Sequence, residues 1–128
     1  KLEQLKFDFQ KSKIQFINPV GYFEMLYLIQ HSILIITDSG GLQKEAYFFK
    51  KKCVTLREQT EWTELVLSGC NILAGTNKQS IIKKTEYMLS EAPDFTKSLY
   101  GNGKAGEKIV ENMEQYHIKN VVDRFLSV

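Results

Sequence analysis

Thr37-Asp38-Ser39-Gly40-Gly41-Leu42-Gln43-Lys44-Glu45-Ala46, fed by the apolar run Ile33-Leu34-Ile35-Ile36, decides how this chain is read. The apolar run is a strand, the small residues are a turn, and Leu42, Ala46 and Phe49 then mark one stripe of a helix. Such a joint aims unpaired backbone N–H groups and the positive end of a helix dipole beyond the strand's carboxyl end, where an anion binds. Gly40 and Gly41 let backbone approach a phosphate with no Cβ in the way. Ser39 adds a hydroxyl. Glu45 follows Gly41 by one turn on the same face, so its carboxylate is placed to accept hydrogen bonds from a diol beside that phosphate. Phosphate followed by diol points to a nucleotide. The competing account is plain turn chemistry, because strand–glycine–helix joints also occur where nothing binds.

Outward from this stretch, strands and helices alternate. The pattern predicts strands at Ile14–Ile17, Ile33–Thr37, Cys53–Leu56 and Asn71–Ala74. It predicts helices at Gly21–Gln30, Gly40–Phe49, through Leu65 and Leu67, after an Asn77 cap, and from Gly106 onward. Residues 22–29 are apolar on nearly every side, which predicts a well-buried helix. Leu2, Leu5, Phe7 and Phe9 read as the tail of a further helix, and Tyr100-Gly101-Asn102-Gly103 as a tight turn. Ile109, Val110, Met113, Ile118, Val121, Val122, Phe125 and Leu126 keep helical spacing, a stripe that must cover something. Repeated strand–helix–strand units with short polar joints give an α/β fold: a Rossmann-like, three-layer α/β/α arrangement on a parallel sheet.

Composition narrows the classes. The 128 residues suffice for one domain, with 43% hydrophobic and 25% charged residues. A net charge of +2 argues for neither nucleic acid nor a membrane surface. Lys50-Lys51-Lys52 reads as a solvated loop. No apolar run is long enough to span a bilayer and no signal-peptide pattern opens the chain, so a cytoplasmic protein is expected. Cys53 and Cys70 head apolar runs and read as reduced core residues. His31 and His117 are isolated and give no metal signature, and no cofactor is expected. The chain begins at Lys1, as a piece of a longer protein would.

Arg57-Glu58-Gln59-Thr60-Glu61-Trp62-Thr63-Glu64 follows the third strand, at the sheet edge where open α/β folds bind ligands. Arg57 either forks onto a phosphate or pairs with Glu58, Glu61 or Glu64. Trp62 either lines a sugar or base site or packs, and packing is the default for such a residue.

Four segments in order, Pro19-Val20-Gly21-Tyr22, Thr37–Ala46, Arg57–Trp62 and Leu99–Gly103, resemble the carboxyl-terminal half of the non-hydrolysing UDP-N-acetylglucosamine 2-epimerases. The resemblance runs from about Pro19 to Met113. It implies the carboxyl-terminal half of a two-domain GT-B fold, with residues 1–128 a partial UDP-binding Rossmann-like domain that lacks its first strands and the amino-terminal domain. It implies that Ser39, Gly40 and Gly41 cradle the diphosphate, that Glu45 binds the ribose, and that the segment after Pro19 borders the uracil. Met25 stands where the family usually has a nucleotide-contacting phenylalanine. Trp62 stands where many members carry an arginine near the phosphates, as in a subgroup of the family. That departure leaves two sugars open: UDP-N-acetylglucosamine, or a diacetamido uronic acid sugar nucleotide. The family inverts C2 by eliminating UDP to a 2-acetamidoglucal and adding it back. Its catalytic carboxylates come largely from the absent amino-terminal domain, so no catalytic residue is expected here. A UDP-sugar substrate, a homodimeric full-length protein and a role in surface polysaccharide precursors also follow from the resemblance. The alternatives are the donor-binding half of a GT-B glycosyltransferase and a non-catalytic sugar-nucleotide-binding or assembly module.

Overall fold

The computed structural model describes residues 4, 7, 8 and 11–126, with side-chain burial through residue 116. The elements run α1 (Tyr22–His31), β1 (Leu34–Thr37), α2 (Gly40–Phe48), β2 (Lys52–Thr55), α3 (Thr63–Leu67), β3 (Asn71–Leu73), α4 (Lys78–Ser90) and α5 (Ala105–Leu126). The strands form one parallel sheet in the order β1-β2-β3, with Ile35 opposite Cys53 and Cys53 opposite Asn71. Parallel neighbours need a crossover, and α2 and α3 supply the two.

Strand periodicity divides the core between the two sheet faces. Val54 meets Ala74 and Met88, with Leu34, Leu56, Ile72 and Ile81 around them, which seats α4 on one face. The next residue in register, Thr55, hydrogen-bonds Asn71 towards α2 on the other face. Tyr47, Leu65 and Cys70 form the core there, under Trp62, Phe95, Leu99 and Tyr100. Helices thus cover both faces, the three-layer arrangement expected. Asn77 caps α4, its side-chain oxygen accepting from the Ser80 N–H at 3.1 Å. Gly101 (φ 78°) and Gly103 (φ 81°) take left-handed backbone in the expected tight turn.

Three expectations fail, each for a physical reason. Residues 14–17 form no strand. Ile14, Phe16 and Ile17 are half or more exposed, and the described residues offer them no strand to pair with. The sheet therefore has three strands, not four. The helix read as well buried, α1, buries only Ile29 and leaves Phe23 81% exposed. It leans on α2. Lys50-Lys51-Lys52 is not all solvated loop. Lys50 takes the turn (φ 55°), while Lys52 opens β2 and donates to the Leu89 and Glu91 carbonyls at the end of α4, where a cation also opposes the helix dipole. On α5, Ile109, Val110 and Met113 are exposed. The later stripe residues Ile118, Val121, Val122, Phe125 and Leu126, and Leu2, Leu5 and Phe9, lie outside the described side chains.

Both cysteines are reduced and buried, as expected. Burial pushes the Cys53 thiol up to about 11, against its ordinary 9.0. The folded chain keeps that proton where the unfolded chain loses it. Its contribution to stability should therefore be complete below pH 9 and decline as pH rises from there through about 11, measurable as a falling urea midpoint that Cys53→Ala flattens. Met88→Ala should cost about 2–4 kcal/mol of unfolding free energy, against no more than about 0.5 for Ile109→Ala.

Candidate functional site

The carboxyl end of β1 passes through Thr37 and Asp38 into α2, whose cap is Ser39. Ser39 Oγ accepts from the Leu42 N–H at 3.4 Å, and the Ser39 N–H donates to Thr37 Oγ1 at 3.0 Å. Gly40 and Gly41 are the first two helical residues, so their N–H groups have no intrahelical acceptor. A Cβ at Gly41 would enter open space, whereas one at Gly40 would strike the Glu61 carboxylate. Glu45 lies one turn, about 6 Å, further along. Its carboxylate is half-buried and makes no side-chain hydrogen bond or ion pair among the described residues.

The loop after β2 closes over this turn. The Trp62 indole N–H donates to the Gly40 carbonyl at 2.9 Å. Arg57 pairs with Glu61 at 3.1 Å, both side chains a third to a half exposed. Between the two accounts of Arg57, the ion pair is therefore the one present. Trp62 packs, as its default predicts, and also hydrogen-bonds the glycine turn. Ser39, Gly40, Gly41, Glu45, Trp62 and the Arg57–Glu61 pair thus gather around one helix start. Met25 sits half-buried on α1, beside α2. A groove of about 570 Å³ runs between residues 17–20 and α1, lined by Ile17, Pro19, Val20, Phe23 and Tyr27 among others.

Three residues of this site escape a sequence reading. Gln43 is buried, and its amide holds the assembly together. Nε2 donates to the Ser39 carbonyl at 3.2 Å, while Oε1 accepts from Thr60 Oγ1 at 2.7 Å and from Asn71 Nδ2 at 3.0 Å. The signal was its place four residues after the cap, on the cap's own face. Lys44 holds its ammonium 3.6 Å from the Trp62 ring centre and 4.5 Å from that of Tyr100. Tyr47 donates to the Lys97 carbonyl and accepts from the Leu99 N–H, pinning the segment that carries Tyr100. The Tyr100 hydroxyl is shut from solvent without a partner of regular hydrogen-bond geometry among the described residues. Burial first, and then the facing Glu64 carboxylate, push its phenol well above the ordinary value, while Tyr100 draws Glu64 below the carboxylate range.

A parallel sheet covered on both faces, with an unpaired helix start at the carboxyl ends of its strands, defines a Rossmann-like α/β chain of the GT-B kind. The family profile described as UDP-N-acetylglucosamine 2-epimerase matches residues 2–114, and the chain belongs to that family. It is 51% identical over 106 residues to the UDP-N-acetylglucosamine 2-epimerase of Methanocaldococcus jannaschii, covering 81% of this chain and 29% of that protein. It is 48% identical over 101 residues to the UDP-2,3-diacetamido-2,3-dideoxy-D-glucuronate 2-epimerase of Pseudomonas aeruginosa, covering 79% of this chain and 28% of that one. The crystal structure of the M. jannaschii enzyme in complex with UDP-GlcNAc and UDP superposes with a TM-score of 0.75 at 46% identity, over 89% of this chain and 30% of that chain. The chain spans less than a third of the length of these relatives.

Gln43→Leu removes one acceptor from both Thr60 and Asn71 and one donor from the Ser39 carbonyl. With Asn71 buried and Thr60 half-buried, the lost partners should cost about 1–3 kcal/mol of stability, read by urea unfolding.

Proposed function

We propose that this chain is the UDP-binding part of a UDP-sugar 2-epimerase, and that residues 1–128 form part of that enzyme's carboxyl-terminal domain. The observation that carries the proposal is the start of α2: unpaired Gly40 and Gly41 N–H groups at the carboxyl end of a parallel strand, with the Glu45 carboxylate uncommitted one turn in. The N–H groups and the Ser39 hydroxyl take the diphosphate, and Glu45 accepts from the ribose hydroxyls. Membership in the family and the UDP-bound relative support this assignment. Met25, on the neighbouring helix, borders the nucleotide. Arg57, held beside the turn by Glu61, is in reach of an arriving phosphate.

The reaction is inversion at C2 of UDP-N-acetylglucosamine to the manno epimer. UDP leaves as the C2 proton is taken, giving a 2-acetamidoglucal, and both return with the proton on the other face. Fixed N–H dipoles at the diphosphate stabilise the departing charge, which is this part's share of the chemistry. The base and acid at C2 come from the remainder of the protein. The full-length protein acts in the cytoplasm as a homodimer that supplies surface polysaccharide precursors. The 48% identity to the diacetamido-glucuronate epimerase, together with Trp62, favours a diacetamido uronate sugar as the second substrate candidate.

Calorimetric titration with UDP tests the site. The chain should bind UDP weakly, and Ser39→Ala and Glu45→Gln should each weaken it about three- to tenfold, the worth of one hydrogen bond. Affinity indifferent to both changes overturns the assignment. Incubated alone with UDP-N-acetylglucosamine, the chain should not epimerise it; turnover at the rate of an intact relative contradicts the division of labour.

A further inference from the structure

Gly40 and Gly41 share one peptide unit, with the Gly40 carbonyl at one end and the Gly41 N–H at the other. The unit is planar, so whatever fixes the carbonyl also fixes where the N–H points. The Trp62 indole N–H fixes that carbonyl at 2.9 Å. Trp62 reaches the turn from a loop, its backbone N–H donating to Thr60 Oγ1 at 3.2 Å and its ring packing on the Tyr47–Leu65–Cys70 core, and its ring face is open to a further hold. Lys44 supplies one. Its ammonium sits 3.6 Å from the Trp62 ring centre with the Tyr100 ring behind it at 4.5 Å, and the Glu64 carboxylate acts on the same charge. A cation between two aromatic faces holds both rings by their quadrupoles. Lys44 also follows Gly40 by four residues, so backbone and side chain of one residue act on the same peptide unit from two sides.

We propose that Lys44, clasped between Trp62 and Tyr100, is a positioning residue that sets the Gly40–Gly41 peptide for the diphosphate, a role that rests on the UDP site assigned above. The ammonium does not meet the nucleotide. It holds the indole, the indole holds the carbonyl, and the Gly41 N–H is both aimed outward and polarised by the hydrogen bond at the other end of its peptide. The same clasp joins the Leu99–Gly103 turn, which Tyr47 pins by its hydrogen bonds to Lys97 and Leu99, to the start of α2.

Trp62 is the sole tryptophan, so its fluorescence reads the clasp without interference. Lys44→Met, which keeps an apolar stem and removes the charge, should shift Trp62 emission, raise its quenching by acrylamide and weaken UDP about three- to tenfold. Lys44→Arg should restore all three to within about twofold, since guanidinium also stacks on aromatic faces. In a Trp62→Leu background Lys44→Met should add nothing further, as expected for residues acting in series. UDP affinity unmoved by Lys44→Met, failure of Lys44→Arg to restore it, or an undiminished loss in the Trp62→Leu background overturns the role; the last would mean that the ammonium touches the nucleotide directly. If the unaltered chain binds no UDP, the nucleotide assignment falls. The clasp is then judged by Trp62 emission alone, and an unshifted spectrum in Lys44→Met rejects it.

Discussion

One buried amide sets the rigid floor of the site. Gln43 projects from the first turn of α2 into the space between helix and sheet, where water cannot serve its polar atoms. Its oxygen therefore has to find donors in the protein, and it finds two: Thr60 from the loop after β2 and Asn71 from β3. Asn71 in turn accepts from Thr55 of β2 at 2.8 Å, so the network runs from the helix start across two strands. An unpaired buried polar group costs about 1–3 kcal/mol, which makes any shift of α2 along the sheet expensive. Position of the glycine turn is thereby tied to the register of the sheet. The same network explains why a loop of polar residues folds back over α2 instead of standing in solvent.

Much of this was legible in the chain. The apolar run before Thr37 and the glycine pair after Ser39 set a strand-to-helix joint, because four apolar residues can be satisfied on both faces of a covered parallel strand. Asn77 was legible as a cap because a short amide before a helical run has one good use. The fourth strand was not. Residues 14–17 have strand composition, but a strand exists only with a neighbour to share its ladder, and composition cannot supply one. Lys52 was misread for a related reason. A lysine in a basic run looks solvated until the end of α4 is found beside it, with carbonyls that need donors. At the site, Ser39, Gly40, Gly41 and Glu45 were readable because a helix start imposes their spacing. Gln43, Lys44 and Tyr47 were not, since their distant partners lie 17 to 56 residues away in sequence.

The exposed apolar residues carry a second constraint. Helix α1 is apolar on nearly every side, yet its Tyr22, Phe23, Tyr27 and Leu28 are exposed, as are Ile33 just before β1 and Ile36 within it. A patch this continuous is costly to leave in water and marks a surface that protein covers. It lies on the β1 side of the sheet, whereas β3 and α4 at the other side bury Ala74 and Met88 well. Exposed apolar residues also occur on that other side, at Leu67 of α3 and at Ile82, Tyr87 and Leu89 of α4.

Floor and rim of the site differ in kind. The floor is the Gln43 network, in which Gln43, Thr55 and Asn71 are buried and have no solvent to fall back on. The rim is the Arg57–Glu61 pair, exposed enough that water and salt compete for it, so the pair contributes no more than about 1 kcal/mol. The N–H groups of the helix start are held by the floor, while the guanidinium above them can change partners at small cost. Glu61 also stands where a Cβ on Gly40 would go, so any side chain there would push the carboxylate away from Arg57. Glycine at this position therefore serves two ends. It leaves the backbone open to a ligand, and it leaves room for the acid that holds the arginine ready until a ligand arrives.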